Sequence, residues 1–279
     1  MRNRPFGPRT AVMGILNVTP DSFHDGGRYD RVDLAAAHAE QMVSEGADLI
    51  DVGGESTRPG AAEVSVQEEM RRVVPVVEAV SRLGPAVSID TRKAEVAEAA
   101  LDAGATIVND VSAGAYDSGM LAMIARRGAT VILMHMRGAP ATMDSLTGYG
   151  DVFRDVATEL SLRVRAATEA GVPSERILVD PGLGFAKTAE QSLQLLRRAE
   201  ELRGLAAGVV VGPSRKRFVG HVTGEDRLEG TAAAVAWCAV RGVDVVRVHD
   251  VRMMRRVVDM ISAISKSGEP AMVAEGAGV

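Results

Sequence analysis

One cysteine, Cys238, stands in 279 residues, so an internal disulfide framework and any cysteine-rich zinc site are excluded. Aromatic side chains are scarce as well, with five Phe, three Tyr and one Trp. The interior must therefore be filled by Val, Ile, Leu, Ala and Met, which suits many short buried strands covered by helices. There is no excess of positive charge: 32 Lys and Arg against 37 Asp and Glu leave a net charge of −5, and no basic face for nucleic acid follows from that balance. No stretch approaches the ~18 uninterrupted apolar residues of a membrane span, and the opening MRNRPFGPRT has no apolar segment of the kind a secretory leader carries. These absences predict a cytoplasmic protein with neither nucleic acid nor membrane as partner.

What is present is one pattern repeated about eight times: a short β-branched run, a loop holding Gly or Asp, and an amphipathic stretch. The runs read as strands are 11–17, 48–53, 86–91, 106–110, 130–135, 176–180, 209–212 and 245–249. Helical stretches are expected near 31–45, 66–83, 93–103, 118–127, 151–170, 189–203, 228–241 and 251–264. Gly46, Gly104, Gly171 and Gly242 follow four of these helices where a left-handed cap is expected. Strict alternation implies parallel strands with right-handed crossovers. An open doubly wound sheet would carry GxGxxG after its first strand. The loop there reads NVTPDSFHDGG. The expected fold is therefore an α/β protein, a single (β/α)8 TIM barrel over 10–267 with long first and second βα loops, and with flexible ends at 1–9 and 268–279.

Barrel chemistry sits at the C-terminal ends of the strands. Those ends here hold Asn17, Asp51 to Glu55, Asp90–Thr91–Arg92, Asn109–Asp110, His135, Asp180, Gly212 to Lys216, and Arg247 to Asp250. Buried unpaired charge costs several kcal/mol, so a ring of this kind is not what packing alone selects. Asp90, Asn109 and Asp180 come from three strands and should converge where they can accept from the N–H edge of a flat heterocycle. Arg247 and His249 lie two apart, on one side of the last strand, and suit a phosphate or diphosphate. GPSRKRFVG (212–220) adds Ser214, Arg215 and Lys216 after the seventh strand, in a segment that does not match a P-loop. The Gly- and Pro-rich loops 17–30 and 53–65 carry Phe23 and Arg58 and read as lids over the mouth. No His/Asp grouping with the spacing of a tight metal site supports a resident zinc or iron, while the Asn17 amide could ligate Mg2+ jointly with substrate phosphates.

These residues fall in motifs that resemble dihydropteroate synthase over nearly the whole chain: GILNVTPDSF, VGGESTRPGA, SIDTRKAEVAEAAL, IVNDVSAG, LMHMRG, LVDPGLGFAKT, GPSRKRFVG and RVHDV, in the family's order. The resemblance implies a magnesium-using homodimeric barrel that is the target of sulfonamides. The implied reaction joins 6-hydroxymethyl-7,8-dihydropterin diphosphate to 4-aminobenzoate, giving 7,8-dihydropteroate and diphosphate in folate biosynthesis. Matched position by position, Asp90, Ile107, Asn109, Met134, Asp180, Phe185, Gly212 and Lys216 would form the pterin slot. Asn17, Arg58, Arg247 and His249 would hold the diphosphate, with Asn17 also the Mg2+ ligand. Phe23, Thr57, Pro59, Ser214 and Arg215 would form the aminobenzoate and sulfonamide pocket. Asp90, Lys216, Arg247 and His249 are the expected catalytic set. The expected path is SN1-like, with diphosphate leaving before the weakly nucleophilic amine attacks. His24 after Phe23 and Pro213 before Ser214 depart from the usual pattern beside the aminobenzoate pocket. The same barrel in a pterin-dependent methyltransferase is the competing enzyme reading, and a non-catalytic pterin-binding paralogue is another; the intact SRK and loop motifs disfavour both.

Overall fold

A computed structural model describes residues 5–19, 28–57 and 62–267, with 28–31 as backbone only. Eight parallel strands close into a barrel in chain order: β1 (Ala11–Asn17), β2 (Leu49–Gly53), β3 (Ala86–Asp90), β4 (Ile107–Asp110), β5 (Thr130–Met134), β6 (Ile177–Asp180), β7 (Gly208–Val211) and β8 (Val245–Val248). The ring is sealed by β8 against β1, where Met13 pairs with Arg247 and Gly14 with Val248. The helices are α1 (Arg28–Ser44), α2 (Val66–Ser81), α3 (Ala94–Asp102), α4 (Met120–Arg127), α5 (Val152–Glu169), α6 (Ala189–Arg197), α7 (Arg217–Thr223), α8 (Leu228–Arg241) and α9 (Val251–Lys266). None of them is long and apolar enough to cross a membrane.

The two-residue period of a strand explains why this scaffold presents a polar floor. One set of inward positions, Leu49, Ile107, Ile132, Leu178, Val210 and Val245, joins Ala11 and Met13 in an apolar cluster inside the barrel. Two residues further along the same six strands come Asp51, Asn109, Met134, Asp180, Gly212 and Arg247. A larger apolar cluster, from Val12 and Leu16 round to Val246 and Val248, fills the space between strands and helices. Low aromatic content is met there by β-branched and small side chains, as the composition requires.

Several helix starts are written locally. Ser65 Oγ accepts from the Glu68 N–H at 3.2 Å, Asp151 accepts from the Phe153 and Arg154 amides, and Thr188 with Gln191 forms a capping box. The four glycines expected at helix ends all have positive φ. Strand ends are trimmed by a residue at Asp90, Met134, Val211 and Val248. Two helical details depart from the expected pattern: α7 is an extra helix of seven residues that begins within the SRKRFVG segment, and α6 stops at Arg197 before a 3-10 turn over Ala199–Gly204. A short helix holding Gly220 carries too little periodicity to be recognised by pattern. At the start of the chain, Phe6 packs against the inner apolar cluster, and Arg9 pairs with Asp48 at 2.9 Å and Asp259 at 3.1 Å. The tail expected to be loose, 268–279, lies outside the described residues.

Candidate active site

The polar floor is a hydrogen-bonded and ionic network across four strands. Arg247 on β8 donates from Nε to Asp51 Oδ2 at 2.6 Å and from Nη2 to Asp90 Oδ2 at 2.7 Å. Asn109 Nδ2 donates to the same Asp51 oxygen at 3.1 Å. Asp51 is fully buried, and its Oδ1 has no hydrogen-bond partner among the described residues. Burial disfavours the Arg247 cation, yet Asp51 and Asp90 outweigh that and hold its pKa above the usual guanidinium range. Burial lifts the Asp90 pKa well above the ordinary carboxylate range, Arg247 opposing and Asp51, Glu69 and Asp110 adding. A carboxylate so placed gains by meeting a second positive centre on a ligand.

Across the mouth, the β6–α6 loop and the segment after β7 make the second wall. Asp180 Oδ1 accepts from the Gly182 N–H at 2.7 Å, and burial raises its pKa against the pull of Lys216. Lys216 Nζ donates to the Leu183 carbonyl at 2.6 Å and stands 4.9 Å from the centre of the Phe185 ring. Burial brings its pKa down to about 8, with Asp180 resisting. Gly182 is required here: at φ +66, a Cβ would lie 2.0 Å from the His135 carbonyl oxygen. Gly212 leaves the space between Lys216 and Arg247 open, a Cβ there falling 3.7 Å from Lys216 Nζ. Met134 pairs in register with Asp180, and Ile107 sits one inward layer below Asn109.

On the third side, Ser214 Oγ is 3.0 Å from His249 Nδ1 and accepts from the His249 N–H at 3.2 Å. Arg215 stands apart from this wall. Its backbone is left-handed (φ +55), its N–H is held by Thr231, and its guanidinium is bonded to Asp250, Nε to Oδ2 at 2.9 Å. That ion pair leaves Arg215 more than half exposed. Asn17 ends β1 beside Gly53, with its Oδ1 3.6 Å from where a Gly53 Cβ would stand. Thr57 is part-buried at the end of the described portion of the second loop, whose base is pinned by Glu55 to Arg92 at 2.8 Å and to Lys93. Phe23, His24, Arg58 and Pro59 lie outside the described residues.

The structure thus brings Asp90, Asn109, Asp180, Lys216 and Arg247 together with Ile107, Met134, Phe185 and Gly212 around one opening. Sequence position marks Asp51 only as a strand-end carboxylate, without a role. Its signal was positional: it sits on the inward phase of β2, two residues after Leu49.

A family model described as pterin binding enzyme matches residues 13–249. The dihydropteroate synthase of Synechocystis is 46% identical over 264 residues, covering 93% of this chain and 91% of that protein. Among solved structures, Xanthomonas albilineans dihydropteroate synthase with 4-aminobenzoic acid superposes with a TM-score of 0.87 at 43% identity, over 94% of both chains. A complex of the enzyme from that organism with 7,8-dihydropteroate gives a TM-score of 0.84 at 40% identity, over 94% of this chain and 95% of that one. Motifs, barrel, polar floor and relatives agree, and the chain belongs to the dihydropteroate synthases of the pterin-binding enzyme family.

Proposed function

We propose that this chain forms 7,8-dihydropteroate by letting diphosphate leave before the amine attacks, and that the Asp51–Arg247–Asp90 network carries that order of events. An arylamine is a weak nucleophile, so a step that waits for a cationic carbon is favoured over direct displacement. Asp90 would face the developing dihydropterin-methyl cation as a fixed carboxylate, while the Arg247 guanidinium, tethered by Asp51, and His249 take up charge on the departing diphosphate. Asp180, Asn109 and Lys216 would hold the heterocycle by its polar edge, with Phe185, Met134 and Ile107 against its faces. Ser214 and Thr57 would border the aminobenzoate, as would Phe23 and Pro59. The Asp250 ion pair would have to open for Arg215 to reach that carboxylate. No residue need act as nucleophile.

Mg2+ is part of the proposal. Asn17 offers a hard amide oxygen next to a side-chain-free Gly53, a donor set that fits an ion sharing its shell with substrate phosphates, as Arg58 would fit the phosphates themselves. When bound, such an ion supplies charge neutralisation on the leaving group. A homodimer is supported by exposed apolar side chains on two adjoining helices, Trp237 and Val240 on α8 and Met260 and Ile264 on α9. Small-molecule substrates, a cytoplasmic location and sensitivity to sulfonamides complete the reading.

The test of the order of events is positional isotope exchange. Pterin diphosphate labelled with oxygen-18 at the bridging position should scramble its label without aminobenzoate, because reversible carbon–oxygen cleavage makes the diphosphate oxygens equivalent. Product formation with no exchange under any condition that traps diphosphate in the site would support direct displacement instead.

A further inference from the structure

The β6–α6 loop, residues 181–187, supplies two parts of the pterin slot: the Phe185 ring and the Leu183 carbonyl that receives Lys216. Its backbone is an unfavourable one. Gly182 and Gly184 have φ of +66 and +79, and between Phe185 and Lys187 the chain places a residue with a side chain, Ala186, at φ +51. Left-handed non-glycine residues persist only where their surroundings over-determine them.

Lys187 provides that constraint. It follows Ala186 directly and is only 4% exposed. Its amino group, whose pKa burial and the Lys216 charge bring down to about 7, is surrounded by three acceptors: His135 Nδ1 at 2.9 Å, the Phe185 carbonyl at 2.8 Å and the His135 carbonyl at 3.4 Å. If Nδ1 accepts, the ring proton must be on Nε2, and Nε2 lies 2.9 Å from Glu159 Oε2. Glu159 is held in turn by Arg137, whose guanidinium lies 3.9 Å from the centre of the Tyr149 ring. The imidazole is thus a neutral ring fixed at both nitrogens, in keeping with a pKa that burial and the Lys187 charge press down. Lys187, His135, Glu159, Arg137 and Tyr149 lie outside the expected catalytic and binding set.

We infer that the Lys187–His135 hydrogen bond is a latch that keeps the β6–α6 loop in its left-handed form and thereby positions Phe185 and Lys216 for the pterin. Lys187 and His135 are positioning residues, and the inference rests on the reading of this slot as the pterin site. Lys187→Met keeps the aliphatic stem and removes the donors. His135→Leu removes the acceptor, whereas His135→Asn retains one near the Nδ1 position.

Steady-state kinetics on these variants, with thermal unfolding to establish that each is folded, separate a latch from a generally weakened barrel. Lys187→Met and His135→Leu should each raise the KM for pterin diphosphate about tenfold and leave the KM for 4-aminobenzoate within about twofold. His135→Asn should stay within about threefold of wild type, and the Lys187→Met/His135→Leu pair should be no worse than about twofold beyond either single change. Ala186→Gly placed in the Lys187→Met background should recover at least about threefold, since glycine takes the left-handed form without strain. A wild-type KM for pterin diphosphate in Lys187→Met, or a loss falling equally on both substrates, would overturn the latch. If Lys187→Met does not fold, the His135→Leu and His135→Asn pair makes the same comparison. Amide hydrogen exchange of residues 181–187 gives a readout free of substrate, with protection falling about tenfold in Lys187→Met or His135→Leu. Unchanged exchange refutes the latch. Lost protection with a wild type that never turns over pterin diphosphate refutes the slot assignment alone.

Discussion

Asp90 has an environment that makes a signed prediction. Its pKa is raised in the folded chain, so the folded state holds that proton more tightly than the unfolded one. Ionising it therefore costs stability above the raised value, and the cost vanishes as pH falls below the ordinary carboxylate range. Asparagine cannot ionise, and Arg247 would keep its bond to Asp51. The difference in Tm between Asp90→Asn and wild type should accordingly move in favour of the variant as pH rises from about 4 to about 8. A difference that stays flat, or reverses, would mean that Asp90 is not held against its charge. On the proposed path the same substitution removes the carboxylate opposite the developing cation and should cost activity by a factor of about 100 or more. At this scale most of the candidate site is legible in the sequence: strand-end position and side-chain type pick out Asp90, Asn109, Asp180, Lys216 and Arg247, which the fold brings together. Asp51 and Lys187 received no role because their partners, Arg247 and His135, lie 196 and 52 residues away in the chain, where spacing carries no information.

Elements set how firmly those residues are aimed. The β6–α6 loop approaches the end of β5 so closely that only glycine fits at 182, where a Cβ would meet the His135 carbonyl oxygen at 2.0 Å. Gly182→Ala should therefore displace the loop, take the Asp180 bond and the Leu183 carbonyl with it, and weaken pterin binding more than it lowers Tm. Calorimetric titration of pterin diphosphate against wild type and variant checks this, and equal affinities would contradict the packing described. The eight strands and the helix order could be read from period alone, because a buried parallel strand and an amphipathic helix leave different imprints. Short α7 left none that stood out, and the side-chain direction of Arg215 depends on a φ of +55 and a bond to Asp250 that no pattern encodes.

For the whole molecule the net charge is −5, and at the opening Arg247 and Lys216 stand beside the carboxylates of Asp51, Asp90 and Asp180. The apolar side chains at Trp237, Val240, Met260 and Ile264 predict association through α8 and α9. Trp237→Glu with Met260→Glu should halve the mass seen by sedimentation, and an unchanged mass would place any interface elsewhere. Closed barrel, polar floor and family membership all converge on one reaction, and the release of diphosphate reports it directly. Wild type supplied with pterin diphosphate, 4-aminobenzoate and Mg2+ should release one diphosphate for each dihydropteroate formed, and Arg247→Ala should lose at least about 100-fold in kcat/KM, because it strands the buried Asp51 and removes the charge proposed to meet the leaving group. Full kcat/KM in Arg247→Ala, or diphosphate release without dihydropteroate in the wild type, would contradict the account.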